Sequence, residues 1–117
     1  MAKPFSIVLG VVLLAVGLWG MATGGHSHDL LVFGINANHN LVHLLSGALA
    51  LVAGFAGARY AAFYCLVFGS VYGLVAVLGF FNVAYAVDLL NLNMADNFLH
   101  LGISVACLLV GGMSKSG

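Results

Sequence analysis

Long apolar stretches separated by short polar ones give this chain its plainest pattern. Four stretches come close to the roughly 20 residues that a helix needs to cross a hydrocarbon core of about 30 Å. They run from about Pro4 to Thr23, Asn40 to Gly57, Tyr60 to Ala84 and Phe98 to Met113. No alternating apolar–polar pattern suggests a barrel, and backbone in lipid must satisfy its own hydrogen bonds, so all four are expected to be helices. The second and fourth are short, and each carries a histidine near its start. The pattern predicts an all-α membrane protein, a four-transmembrane-helix bundle forming a single domain over residues 1–117.

Composition points the same way. Of 117 residues, 63% are hydrophobic and 5% charged, with a mean hydropathy of +1.17. A soluble domain carries about 25% charged residues, so this chain lacks the means to cover a water-facing surface. Three basic and three acidic residues balance, which argues against nucleic acid as a partner. Cys65 and Cys107 lie inside apolar runs and read as small packing residues, without metal-ligand or disulfide spacing.

The few charges predict an orientation. Lys3, Arg59 and Lys115 fall before the first span, between the second and third, and after the fourth; Asp29, Asp88 and Asp96 fall in the other two loops. Four crossings put all three basic sites on one side, and basic residues stay in the cytoplasm. Both termini are therefore expected to be cytoplasmic. Lys3 and the small-x-small triplet Gly20-Met21-Ala22 also resemble a secretory leader. The apolar run exceeds the usual leader core of about 7–15 residues, so the first span is expected to be retained.

The segment Ile35 to Leu44 lies over Leu92 to Leu101 at a separation of 57 residues, and both read aliphatic-Asn-x-x-x-Asn-x-x-His-Leu. Asn36, Asn40 and His43 match Asn93, Asn97 and His100, and further on Leu51 and Gly54 match Leu108 and Gly111. This predicts two tandem hairpins, about 4–57 and about 60–113, related by an axis along the membrane normal. Each Asn-x-x-x-Asn-x-x-His set is spaced for one helix face, bringing both histidines into the membrane from the outer side.

These elements, Asn40-x-x-His43-Leu44 and Ala95-Asp96-Asn97-x-x-His100-Leu101, resemble those of bacterial integral membrane proteins of domain-of-unknown-function family 4383. The likeness covers about residues 5–113. It implies the four spans and the paired Asn/His elements, and it carries no established biochemical role.

Polar groups at membrane depth are costly and mark candidate sites. On a structural reading, Asn36 and Asn93 cap the outer ends of the second and fourth helices, while Asn40, His43, Asn97 and His100 hydrogen-bond across the bundle. No cofactor is needed for that. On a metal reading, His39 and His43 share a helix face at i, i+4, and the repeat puts Asp96 and His100 at the equivalent positions. Three imidazoles and a carboxylate suit a transition metal such as zinc, copper or iron. A third reading holds haem between His43 and His100, and a quinone or a transported solute is a fourth. His26 and His28 read as bystanders in a solvated loop.

Tyr60, Tyr64, Phe68 and Tyr72 recur every four residues and predict a packing face, or a surface against lipid or a partner protein, rather than a cofactor site. The small-residue pairs Gly69/Gly73, Ala50/Gly54 and Gly20/Gly24 suit close helix approach. No nucleophile–base pair, phosphate loop or carboxylate pair indicates an enzyme. The sequence favours a structural or accessory subunit. It would pack in the lipid bilayer against a larger membrane complex or in a homo-oligomer, with a metal- or haem-binding protein as the alternative.

Overall fold

A computed structural model describes residues 1–24, 26–30 and 33–114; the expectation for Lys115 lies outside them. Four long helices are each long and apolar enough to cross a membrane: α1 (Ala2–Ala22), α2 (Ala37–Ala56), α3 (Ala58–Phe80) and α5 (Met94–Met113). Two smaller features join them at one end. An antiparallel pair, β1 (His28–Leu30) and β2 (Phe33–Ile35), follows α1, and a short helix, α4 (Ala84–Leu90), follows α3. The molecule measures 41 × 30 × 19 Å. This is an all-α membrane fold.

The helix faces are arranged for lipid. The buried stripe of α1 is Ala2, Ser6, Gly10, Leu13, Gly17 and Gly20, and that of α5 is Asp96, Asn97, His100, Ser104, Cys107 and Gly111. Those of α2 and α3 are likewise small, polar or aromatic. The large aliphatic side chains point outward; Val8, Val52, Leu74 and Leu109 are all more than half exposed. In water this would be inside out. In a bilayer, where lipid tails are as apolar as leucine, helices associate through close packing and interhelical hydrogen bonds instead.

Helix α1 packs chiefly on α2, and α3 chiefly on α5. A Cβ built on Gly10 would lie 2.8 Å from the Gly47 carbonyl oxygen, and one on Gly47 would lie 2.8 Å from the Leu14 backbone nitrogen, so these backbones touch. At the matching level of the other pair, Gly69 meets Cys107 and Leu108. Each pair also carries one buried interhelical hydrogen bond of 2.6 Å, from Ser6 Oγ to the Ala50 carbonyl and from Ser104 Oγ to the Gly69 carbonyl. Adding a single methyl in Gly47→Ala should force α1 and α2 apart at a cost of about 1–3 kcal/mol. A lowered thermal unfolding midpoint in detergent is the expected readout.

Elsewhere the boundaries depart from expectation. Helices α2 and α5 start three and four residues earlier than the apolar runs, because Asn36 and Asn93 cap them: each side-chain Oδ1 accepts from a backbone N–H three residues on, at 2.9 Å. Helix α3 stops at Phe80 rather than Ala84, where Asn82 turns the chain with φ +53°. The connection between α2 and α3 is one residue, Gly57, at φ +145°, a conformation that favours glycine. Gly20 and Gly24 do not act as a pair, since Gly24 lies beyond the end of α1. Cys65 and Cys107 are free and buried together in the core. Of the aromatic stripe, Tyr64 and Tyr72 face α2 through Ser46, the former donating to its carbonyl at 2.8 Å and the latter 2.7 Å from its Oγ, whereas Tyr60 is exposed.

Candidate metal centre at the capped helix ends

The caps decide where the site forms. By starting α2 at Ala37 and α5 at Met94, they place His39 and Asp96 in the first helical turn, so the i, i+4 relation to His43 and His100 holds. Both first turns then bind the loop of the opposite pair. A helix end leaves carbonyls without intrahelical partners. At the end of α4 these are met from α2: Asn36 and Asn38 donate through Nδ2 to the Leu89 carbonyl at 2.9 and 3.2 Å, and His39 Nδ1 lies 3.0 Å from the Leu90 carbonyl oxygen. From α5, Asp96 Oδ2 accepts the Gly34 N–H of β2 and the Asn93 N–H, each at 3.0 Å. Asn91, at the left-handed end of α4, donates to the Ile35 and His28 carbonyls and ties the two loops together.

A carbonyl can only accept, so the bond to Leu90 fixes the tautomer of His39 with the proton on Nδ1. Its Nε2 carries a lone pair that is buried and has no hydrogen-bond partner among the described residues. This is the support a metal-bound histidine commonly has: one ring nitrogen held by a carbonyl, the other free to coordinate. His43 is 2% exposed, and among the described residues neither of its ring nitrogens has a hydrogen-bond partner; nor has His100 Nδ1. The three rings cluster, with centroids 4.5 Å apart for His39–His43, 5.2 Å for His39–His100 and 6.0 Å for His43–His100. One nitrogen from each falls within 4.8 Å of the others.

The remaining polar residues have other places. Asp96 does not join this nitrogen cluster. Its Oδ2 closes a reciprocal capping box with Asn93, and its buried Oδ1 has no hydrogen-bond partner among the described residues. Asn40 and Asn97 make no hydrogen bond to a neighbouring helix. Asn40 lies against Gly20 of α1 and Asn97 against Gly79 of α3, where any larger residue would collide, and the Asn97 Nδ2 reaches only Met94 Sδ at 3.9 Å. The expected cross-bundle bonds of Asn40, His43, Asn97 and His100 are therefore replaced by packing for the amides and by clustering for the imidazoles. His28 spends both ring nitrogens locally, on Thr23 and on the His26 carbonyl.

Sequence reasoning did not place Tyr72 in this neighbourhood, although its ring centroid is 5.5 Å from that of His100. The four-residue aromatic interval was the available signal, read as a face for packing, lipid or a partner protein. Two apolar cavities flank the cluster. One, of about 220 Å³, lies between α1 and α5 and has His43 and Asp96 as its polar walls. The other, of about 280 Å³, lies between α2 and α3 and reaches His39 and His100.

A family model described as a domain of unknown function (DUF4383) matches residues 3–113. No curated protein and no solved structure matches the chain.

Proposed function

We propose that the chain, which belongs to the DUF4383 family, is an integral membrane protein that binds a transition-metal ion through His39, His43 and His100. The observation that carries this reading is the convergence of three buried imidazoles with ring nitrogens that lack hydrogen-bond partners among the described residues. An unsatisfied buried polar group costs about 1–3 kcal/mol. Three imidazoles left so in one place are a poor device for stability and a good one for coordination. A subunit that only packs against partners would account for the exposed apolar surface but gives these rings no purpose. Haem is disfavoured by His39: its ring lies against both His43 and His100, in the space a porphyrin between them would need.

The bundle's charges support an orientation. Lys3 and Arg59 begin α1 and α3 at one end, while Asp29, Asp88 and Asp96 lie at the other, with the histidines. By the positive-inside rule the basic end is cytoplasmic, so the site sits beneath the outer surface. The matched levels of the two helix pairs, Gly20 under Asn40 and Gly79 under Asn97, support descent of both hairpins from one unit.

Elemental analysis and an absorption spectrum of protein purified in mild detergent test the reading. Stoichiometric transition metal without a porphyrin band is the expected result. Protein that is metal-free and takes up no copper, zinc, iron or cobalt on exposure contradicts it.

A further inference from the structure

Resting on that metal-binding reading, the donor set also narrows the ion. All three donors are neutral imidazole nitrogens. The nearest carboxylate by sequence, Asp96, stands outside the nitrogen cluster: its Oδ2 accepts from two backbone N–H groups and its buried Oδ1 faces no donor among the described residues. The two thiols, Cys65 and Cys107, lie in the separate core cluster with Ala50 and Tyr64. Nothing in the set itself therefore offsets the charge of the ion it holds. Because the Born penalty of burial grows as the square of the charge, a divalent ion here costs about four times as much to desolvate as a monovalent one.

Coordination number points the same way. Zinc is almost always four-coordinate and would need a water or a carboxylate to complete three histidines. The space beside the cluster is apolar: the cavity next to His43 is walled by residues such as Leu13, Val16, Ile35 and Ile103, with Asp96 the other polar contributor. On the opposite side, the Tyr72 and Ser46 hydroxyls are already paired with each other at 2.7 Å. A ligand set that is neutral, three in number, nitrogen-based and held away from water suits a monovalent d¹⁰ ion that accepts trigonal coordination. We infer that the site formed by His39, His43 and His100 takes a single cuprous ion in preference to a divalent metal.

The test is anaerobic equilibrium dialysis of the full chain in detergent, with cuprous ion supplied as its acetonitrile complex and, in a parallel arm, zinc ion. Wild-type protein, Asp96→Asn and the His43→Ala, His100→Ala double variant are compared. The expected result is stoichiometric copper with a cuprous X-ray absorption edge in wild type and Asp96→Asn, loss of copper in the double variant, and zinc washed out of all three. Zinc held as firmly as copper by wild type, and weakened in Asp96→Asn, overturns the monovalent assignment while leaving the metal-binding reading standing. Copper retained by the double variant places it elsewhere and overturns the assignment. Failure of wild type to hold either ion removes both.

Discussion

Replacing His43 and His100 together by alanine is expected to reduce bound metal from stoichiometric to background while leaving the four-helix bundle folded. The two outcomes separate because of what these rings do not do. Neither His43 nitrogen, nor His100 Nδ1, makes a hydrogen bond among the described residues, so the described fold loses no polar contact at those atoms. The centre, however, loses two of its three donors. That loss should exceed the roughly 10–100-fold weakening that follows removal of an outer-shell partner alone. Elemental analysis reads the metal, and far-ultraviolet circular dichroism with size-exclusion elution reads the fold. A double variant that keeps its metal, or one that loses its helices along with it, contradicts the assignment.

Asp96→Ala is expected to do the reverse, costing about 1.5–5 kcal/mol of stability. The carboxylate caps α5 through the Asn93 N–H, an interaction whose loss costs about 0.5–2 kcal/mol. It also accepts the buried Gly34 N–H from the β-hairpin, and stranding that donor adds about 1–3 kcal/mol. Thermal unfolding in detergent measures the sum, and amide hydrogen exchange should rise at Gly34 and Asn93 in particular. Asp96→Asn, which retains an acceptor oxygen, should recover most of the loss. An Asp96→Ala protein as stable as wild type but depleted of metal would instead make Asp96 a ligand.

The contrast between these residues shows how far the sequence could be read. The four long apolar helices were legible because an apolar run of bilayer length has few other meanings. The ends of α2 and α5 were not, because Asn36 to His39 and Asn93 to Asp96 are polar enough to look like loop although their polarity is what caps and starts each helix. Helix α4 was hidden for the opposite reason: Val83 to Leu90 continues the apolar character of α3, and only Asn82, with its positive φ, marks the break. The spacing of His39 with His43, and the repeat that offered His100, named the three imidazoles. Equivalence in the repeat also nominated Asp96 as a fourth ligand. There the two positions differ in chemistry: His39 can donate to a helix-end carbonyl and still present a second nitrogen, whereas Asp96 uses its carboxylate to receive backbone N–H groups. The bond from His39 to Leu90 spans 51 residues and has no signature in local pattern.

X-ray absorption fine structure of the metal-loaded protein tests the centre most directly, since it counts the donors and identifies imidazole by its outer-shell scattering. A first shell of nitrogen at about 2.0 Å with the scattering of three imidazoles is the predicted result. A shell dominated by sulfur or by oxygen, or by fewer than three imidazoles, would contradict a site built from His39, His43 and His100.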